Sequence, residues 1–372
     1  MAVNNINDKK GVAVIKDSNI KLTAGIEKKV TIKDIARETE LSVATVSRVI
    51  NKVNRHYSEA TEKRVSDAVK RLNYTPNIIA WGLKKQKTNT IGFIVPELDS
   101  YYSEIFLGAQ DVAMKHGYTN FLCNTNYNVE FEKLYFDNLL ARRVDGVVIA
   151  TGLIDSSHVY RLLREGIKIA LIECDLEIPD VVSVVIDNYK YSRLAVQHLI
   201  DNGYKRIGFV SAPLEEMKNL KERFGGYVDA LKCNNMDIDD SVIYFNRAIR
   251  GEWDLTSSSE LIRAIMSDNK NRPDALYIIS DSVAMAAIQV IKKLGLRIPA
   301  DIGIVGFDDR RFCKYLEPPL TSIHQPKYEM GAKSTELLIK TIENKEVLNK
   351  KIYLEMQLSI RESSSRITIK NT

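Results

Sequence analysis

The sequence predicts an all-α head of the helix-turn-helix type, followed by an α/β core of two similar halves with parallel sheets. Three observations predict this. Three short amphipathic helical segments fill residues 30–72, apolar strands alternate with helices after residue 90, and the segment 91–98 resembles the segment 207–214. Apolar strands that alternate with helices indicate parallel sheets covered on both faces. The repeated strand start indicates two such halves with a cleft between them.

The head is justified by its helix starts and apolar faces. Thr31 is a good N-cap with Asp34 three residues later, which is a capping-box pattern, and Ser42 can cap a second helix. A third helix is predicted from about residue 59 to residue 72. The apolar residues recur at helical spacing in all three segments, and they are Ile32, Ile35, Ala36, Val46, Val49, Ile50, Val65, Ala68, Val69 and Leu72. Short helices with a tight turn between the first two form a helix-turn-helix unit.

The chain divides at changes in composition. We predict a flexible polar tail over residues 1–29, the head over 30–76, a connector over 77–90, the core over 91–366 and a C-terminal tail over 367–372. Buried strands of the core are predicted from short apolar runs. These runs are Ile91–Val95, Val144–Ala150, Ile167–Ile172, Val182–Ile186, Ile207–Ser211, Ala275–Ile279 and Ile302–Phe307.

Composition narrows the class of protein. In the 372 residues, 45% are hydrophobic and 27% are charged, which excludes a collagen-like or wholly disordered chain. Residues 1–90 hold 18 basic and 9 acidic side chains, whereas the remainder holds 35 and 39. A basic N-terminal quarter on an acidic body is typical of nucleic-acid binding, with a solvated basic face as the alternative.

Other motifs exclude several chemistries. The four cysteines form no CxxC pair, which favours a reduced, cytoplasmic protein without a structural zinc or disulfides. The apolar run at 11–15 is short and flanked by charges, so we expect neither a signal peptide nor a membrane span. The five histidines are dispersed, and the motifs of phosphate loops, dinucleotide sites, zinc proteases and serine hydrolases are missing from the sequence. We therefore predict no enzymatic activity, no cofactor and no metal.

Polar side chains follow several predicted strands, where open α/β sheets bind their ligands. Carboxylates that accept paired hydroxyls, beside an aromatic face, suit a polyol or a sugar. Each acid is equally a candidate N-cap for the next helix, but the set as a whole favours a polar cleft. The set is Asp99, Tyr101, Tyr102, Asp175, Ser280, Asp281, Asp308 and Asp309, with Trp253 as an aromatic in a polar stretch.

The motifs resemble the LacI/GalR (lactose-repressor/galactose-repressor) family of bacterial transcriptional regulators over nearly all of residues 30–366. The head carries VTIKDIA at 30–36, LSVATVSRVIN at 41–51 and LNYTPN at 72–77. The core carries RFGGY at 223–227, SDSVA at 280–284, VGFDD at 305–309 and LTSIHQP at 320–326. The resemblance implies a core like that of periplasmic binding proteins. It also implies that the chain crosses between two subdomains about three times, near Asp187, Asp308–Arg310 and Gln325.

The resemblance implies a recognition helix over Ser42–Asn51 that lies in the major groove. Val43 and Ala44 stand at the positions that most often vary operator choice, and both can meet thymine methyls. Packing inside the head is the alternative for this pair. Thr45 and Arg48 would contact bases, while Ser42, Ser47 and Asn51 would hold phosphates. The connector resembles a hinge helix that wedges into the minor groove, and its DNA contacts would be Asn77, Leu83 and Lys84.

The effector site implied by the resemblance lies in the cleft. Arg223 resembles the main effector-binding arginine, with a structural ion pair as its alternative role. Asp308 resembles the acid that accepts effector hydroxyls, and Trp253 resembles an aromatic that stacks on the ligand. Ser280 stands where sugar-responsive members often carry Asn. The remaining implied pocket residues are Tyr101, Tyr102, Asp175 and Gln325.

The sequence therefore predicts a cytoplasmic repressor, acting as a homodimer or a tetramer, that a mono- or oligosaccharide releases from a near-palindromic DNA operator. An alternative in the same class is a regulator whose effector or phosphorylated partner protein acts as a corepressor. A transport-type solute-binding protein would explain the core but not the basic head. No membrane partner is expected.

Overall fold

A computed structural model describes residues 30–51, 57–75, 87–150, 156–174, 176, 178–179, 181–215, 217–245, 255–268 and 270–366. The described residues fall into two compact units, one over 30–75 and one over 87–366. The tail 1–29, most of the connector and residues 367–372 lie outside this description, as do Asn77, Leu83, Lys84, Asp175 and Trp253.

The first unit is a three-helix head: α1 (Ile32–Glu38), α2 (Val43–Ile50) and α3 (Glu59–Arg71). The capping box forms, since the Asp34 carboxylate accepts the backbone N–H of Thr31 at 2.9 Å and its hydroxyl at 2.7 Å. Ser42 caps α2, and Ser58 caps α3 in the same way. The head has a small core of its own, formed by Ile35, Ala36, Val46, Val49, Val65 and Ala68.

The second unit contains two subdomains, each built on a six-stranded sheet. The first sheet has the order β11-β5-β4-β3-β1-β2 and is parallel throughout. Its strands are β1 (Thr90–Val95), β2 (Thr119–Asn124), β3 (Gly146–Ile149), β4 (Lys168–Ile172), β5 (Val182–Ile186) and β11 (Lys351–Leu354). The helices of this subdomain are α4 (Ser100–Lys115), α5 (Val129–Ala141), α6 (Ser156–Arg164) and α11 (Lys327–Ile342).

The second sheet has the order β12-β10-β9-β8-β6-β7, and only the pairing of β12 with β10 is antiparallel. Its strands are β6 (Ile207–Ser211), β7 (Ile243–Phe245), β8 (Ala275–Ile278), β9 (Gly303–Asp308), β10 (Thr321–His324) and β12 (Gln357–Ser359). The helices here are α7 (Asn188–Asp201), α8 (Lys218–Cys233), α9 (Leu255–Ser267) and α10 (Asp281–Lys293). This architecture confirms the predicted fold class.

The chain crosses between the subdomains at Asp187, at Gln325–Pro326 and between β11 and β12. The crossing predicted at Asp308–Arg310 is wrong. Both β9 and β10 belong to the second sheet, so the chain stays in that subdomain through a 3-10 turn at Cys313–Tyr315. Arg310 contacts the other subdomain through its side chain instead, by pairing with Asp99.

Five strands were not predicted: β2, β7, β10, β11 and β12. Four of them are edge or near-edge strands with exposed positions, so their apolar runs are interrupted, as in β2 and β11. In β10 the buried Thr321 and Ser322 carry hydroxyls that bond within the fold. Such strands do not read as continuous apolar segments. No helix among the described residues is long and apolar enough to cross a membrane.

Two glycines allow close contact between α4 and α11. A Cβ atom at Gly331 would lie 1.7 Å from the Ile105 carbonyl oxygen, and one at Gly108 would lie 2.0 Å from the Tyr328 carbonyl oxygen. The clashing atoms are backbone, so a side chain could be accommodated only if the helices moved apart. This contact supports the packing of α11 against the first sheet.

We therefore expect Gly331→Ala to lower the free energy of unfolding by about 1–3 kcal/mol, because the added methyl overpacks the helix contact. Urea unfolding of the purified protein measures the change. Lys333→Ala, at a half-exposed position of the same helix where only a surface pair with Glu336 is lost, is the control and should change stability by no more than about 0.5 kcal/mol. Equal stability of Gly331→Ala and the unchanged protein would contradict this account of the packing.

Candidate functional site

The outer face of α2 is exposed. Val46 and Val49 are buried in the head, so the helix presents Val43, Ala44 and Arg48 on its other side. Val43 is 42% exposed. The alternative that Val43 and Ala44 pack inside the head is therefore wrong.

Arg48 differs from the other described arginines of the head. Three arginines pair with carboxylates: Arg37 with Asp34, Arg64 with Glu40 and Arg71 with Glu38. The Nε atom of Arg48 donates to the Ala44 carbonyl oxygen at 3.3 Å, and no carboxylate in the described head pairs with it. Its guanidinium group is thus exposed on the outer face of α2, in the last turn of the helix.

The predicted phosphate contacts on α2 make local hydrogen bonds. The Ser42 hydroxyl oxygen accepts the backbone N–H of Thr45 at 3.1 Å and lies 2.9 Å from the Thr45 hydroxyl oxygen. The Asn51 side chain donates to the Ser47 carbonyl oxygen at 2.7 Å. These bonds hold the Ser42 and Thr45 side chains at the N-terminal end of α2 and the Asn51 side chain at its C-terminal end.

A polar cleft of about 770 Å³, counting its open mouth, lies between the two subdomains. It is at the carboxyl ends of strands from both sheets, as expected for this class of fold. Tyr101, Tyr102, Arg223 and Asp308 line it, together with Ser280. Further lining residues that the sequence analysis did not single out are Glu97, Tyr127, Glu173, Asn219 and Arg310. Gln325 is fully buried behind the wall.

Arg223 is held in the cleft by neutral partners. Its Nε atom donates to the Asn188 side-chain oxygen at 2.9 Å, and its Nη1 atom donates to the Ile279 carbonyl oxygen at 3.0 Å. The guanidinium carbon lies 3.7 Å from the centre of the Phe307 ring. No described carboxylate forms an ion pair with Arg223, so its alternative role as a structural ion-pair partner is wrong. The remaining N–H groups stay available to a ligand.

Glu173 is the acid at the end of β4, where the sequence analysis favoured Asp175. Its carboxylate accepts the backbone N–H of Ile186 at 2.8 Å and the side-chain N–H of Asn188 at 3.1 Å. Burial raises the pKa of Glu173 to about 7, although the bonds from Asn188 and Ile186 oppose the shift. Glu173, Asn188 and Arg223 are thus connected by a chain of hydrogen bonds at the first crossing. The position of Glu173 directly after β4 was the sequence signal that could have identified it as a cleft residue.

Asp308 joins residues of both subdomains. Its Oδ1 atom accepts from the Gln325 amide at 2.7 Å, and the Gln325 oxygen accepts the Tyr101 hydroxyl at 2.7 Å. The buried ammonium group of Lys327 donates to the Asp308 carbonyl oxygen at 2.6 Å. Burial raises the pKa of Asp308, while the charge of Arg310 opposes the shift. The backbone φ of Asp308 is +118°, a strained value that these contacts hold in place.

Arg310 links the subdomains. Its guanidinium pairs with Asp99 in the first subdomain and approaches the Asp308 carboxylate at 3.4 Å in the second. Asp99 also accepts the backbone N–H groups of Tyr101 and Tyr102, both at 2.9 Å. The acid is therefore an N-cap of α4 and a cleft residue at the same time.

Two acids proposed from the sequence have structural roles instead. Asp281 is fully buried and accepts from the Arg310 backbone N–H at 2.9 Å and from the Ser322 hydroxyl at 2.7 Å. Asp309 pairs with Arg361 at 2.7 Å, and hydrogen bonds from its neighbours outweigh burial and lower its pKa to about 2. Neither lines the cleft.

Two family models match the two parts of the chain. The model of "Bacterial regulatory proteins, lacI family" matches residues 31–77, and that of "Periplasmic binding proteins and sugar binding domain of LacI family" matches residues 88–362. Catabolite control protein A of Priestia megaterium is 34% identical over 339 residues, which is 90% of this chain and 99% of that protein.

Two solved structures extend the comparison. The lac repressor dimer bound to operator and the anti-inducer ONPF has a TM-score of 0.80 and 26% identity, over 91% of this chain and 99% of that one. The complex of the transcriptional regulator CelR with cellobiose has a TM-score of 0.66 and 29% identity, over 90% and 99%.

A helix-turn-helix head with an exposed second helix, on a two-subdomain core with a polar cleft, defines a ligand-responsive transcriptional regulator. The extent and identity of these matches then identify the chain as a member of the LacI family of bacterial regulatory proteins. Members of this family bind operator DNA and small-molecule effectors.

The raised pKa of Glu173 predicts a pH effect on stability. The folded chain holds a proton between the ordinary pKa near 4.5 and the folded value of about 7, whereas the unfolded chain has released it. This acid's contribution to stability is therefore lost as the pH rises through that window. The free energy of unfolding of Glu173→Gln, relative to the unchanged protein, should rise by roughly 2 kcal/mol between about pH 5 and pH 8.

Urea unfolding at several pH values measures this difference. Other buried acids, such as Asp281 and Asp308, titrate in both proteins and so cancel. Glu165→Gln, at an exposed position, is the control and should follow the curve of the unchanged protein. Parallel curves for Glu173→Gln and the unchanged protein would rule out a protonated Glu173.

Proposed function

We propose that the protein is a cytoplasmic repressor whose α2 helices, paired in a homodimer, bind a near-palindromic operator, and that a sugar in the cleft releases it. The main support is that Tyr101, Asp308 and Arg310 line the cleft and also make the contacts that join the two subdomains. A ligand that contacts Arg223 and Asp308 therefore contacts the groups that set the angle between the two halves.

The outer face of α2 supports the DNA part of this proposal. Val43 and Ala44 offer exposed methyl groups to thymine, and Arg48 offers a guanidinium without a carboxylate partner, which suits guanine. Ser42 and Asn51 cap the two ends of α2 and Ser47 lies within the helix, and their hydroxyl and amide groups can hold phosphates. Thr45 is proposed as a further base contact. Asn77, Leu83 and Lys84 keep their proposed roles in the minor groove. The operator-bound lac repressor dimer supports the same arrangement.

The cleft supports a sugar as the effector. Arg223 is fixed by Asn188 and the Ile279 carbonyl group, so it is oriented before a ligand arrives, which reduces the entropy lost on binding. The carboxylate of Asp308 can accept ligand hydroxyls, and the Tyr101 and Tyr102 rings, 5.0 Å apart, supply an aromatic wall. Trp253 and Asp175 are proposed as additional contacts, with Gln325 as support for Tyr101 and Asp308. The neighbouring CelR complex contains cellobiose.

The coupling follows from linkage. An effector shifts the equilibrium between two subdomain arrangements only by its difference in affinity for them. A ligand that displaces Tyr101, Arg310 or Asp308 from their mutual contacts would change the relative energy of those arrangements. By linkage, the effector changes the affinity for the operator by the same factor by which the operator changes the affinity for the effector.

A second candidate is regulation by a corepressor, in which the effector or a phosphorylated partner protein strengthens operator binding. The specific observation in its favour is that the lac repressor was solved with operator and an anti-inducer together. The sign of the effector's influence on operator affinity separates the two: weaker binding supports induction, and tighter binding supports corepression.

We expect Arg48→Ala to weaken operator binding by about 1–3 kcal/mol, because it removes a bidentate contact to a base. The measurement is fluorescence anisotropy on DNA selected from a random palindromic library. Arg37→Ala is the control, since Arg37 is paired with Asp34. Unchanged affinity of Arg48→Ala for the selected DNA would remove this residue from base recognition.

We expect Arg223→Ala to abolish the effector response while operator binding without effector remains. A thermal-shift screen against sugars finds the effector, because a ligand at ~100 times its Kd stabilises the native state by ~2.7 kcal/mol. Anisotropy with and without that sugar then measures the response. A variant that still responds at the same sugar concentration would exclude Arg223 from the effector site.

A further inference from the structure

Acidic side chains outnumber basic side chains in the cleft. Three acids and two arginines line it: Glu97, Glu173, Asp308, Arg223 and Arg310. The groups that contact this wall from behind are Asp99, Asp281 and Lys327. Acids thus outnumber cations among the described residues of the wall. The adjoining hinge-side cavity adds equal numbers of each, namely Asp187, Glu222, Lys218 and Lys351.

The cations of the wall are engaged in ways that leave little attraction for an anion. Arg310 lies between the carboxylates of Asp99 and Asp308. Lys327 is buried, and its ammonium group donates to the carbonyl oxygens of Asp308, Gln325 and Asp309. Arg223 is the one lining cation in the described cleft without a carboxylate partner. It shares the wall with Asp308, whose negative charge would repel an anion bound beside it.

The cleft also contains a hydrogen-bond acceptor that favours a ligand with hydroxyl groups. The side-chain oxygen of Asn219 is buried in the cleft wall, and no group of the described chain donates to it. Asn219 precedes Arg223 by one turn of α8. A buried acceptor without a donor is costly, and a sugar hydroxyl can donate to it. A phosphate group carries close to two negative charges at pH 7 and offers almost no donor.

We infer that the cleft selects a neutral, polyhydroxylated saccharide over its phosphate ester, and that Asp99 determines this choice by pairing with Arg310. This inference rests on the proposed function, because it assumes that a saccharide is the effector. It goes further in assigning the ligand's charge and the residue that sets it. Without the Asp99 charge, Arg310 would keep only the longer contact with Asp308 and could bind an anion.

The test compares neutral sugars with their phosphate esters on the full-length protein. The probes are glucose, fructose, ribose and cellobiose, each beside its monophosphate, first by thermal shift and then by calorimetry. We expect each sugar that binds to have an affinity at least about tenfold higher than that of its ester. The reason is that the repulsion between two buried unit charges at close range exceeds the free energy of a tenfold change in affinity. An ester that binds as tightly as its parent sugar, or more tightly, overturns the inference while leaving a saccharide effector in place.

Asp99→Asn tests the assigned residue. Asn is as good an N-cap as Asp, so α4 keeps its cap while the carboxylate charge is removed. The difference in affinity between sugar and ester should narrow by about tenfold in this variant. Asp111→Asn is the matched control, because it removes one charge from the same helix at an exposed position and should leave the difference unchanged.

The outcomes distinguish the role of Asp99 from the charge preference and from the saccharide effector itself. An unchanged difference in Asp99→Asn overturns the role of Asp99. Binding by neither member of any pair rejects the saccharide effector itself, and the charge preference with it. The comparison of sugars with their esters on the unchanged protein tests the charge preference even if Asp99→Asn fails to fold.

Discussion

The contact between Arg310 and the two acids Asp99 and Asp308 is the interaction on which the rest of the core depends. It connects the N-cap of α4 in the first subdomain to the end of β9 in the second. Removing these charges from water is expensive, and good geometry with further hydrogen bonds is required to offset it. Those bonds are present: Asp99 caps a helix, Asp308 accepts from Gln325, and the Arg310 backbone donates to Asp281. The subdomains are therefore joined by polar contacts that a polar ligand can replace.

At the first crossing, the subdomains are likewise joined by polar contacts, but these contacts involve fewer full charges. Glu173 belongs to the first sheet, Asn188 begins α7 in the second subdomain, and Arg223 lies on α8 beside it. Burial raises the pKa of Glu173 to about 7, so its carboxyl group accepts from Ile186 and Asn188 while carrying less than a full charge near neutral pH. The hinge segment and the cleft thus share one hydrogen-bond network. This gives a physical route by which occupancy of the cleft can influence the crossing.

Many elements could be predicted because they depend on near neighbours in sequence. The caps at Thr31, Ser42 and Asp99 involve residues two or three positions away, and the buried faces of the head follow helical spacing. The apolar central strands were predicted for the same reason. Edge strands such as β2 and β11 were not, because one of their faces is exposed and their sequences are mixed. The crossing expected at Asp308–Arg310 was wrong because β9 and β10 pair within one sheet, and such pairing between strands is not a local property of the sequence.

The sequence by itself determined the helices of the head, the apolar central strands, the basic head on an acidic body and the family motifs, since each is a local or compositional property. Only the tertiary structure decided which acids face the cleft. Asp308 lines it while its neighbour Asp309 pairs with Arg361, and Glu173 occupies the wall. It also decided that Arg310 meets Asp99, 211 positions away in the chain. Such pairings depend on how two sheets are brought together, and no spacing within the sequence encodes that distance.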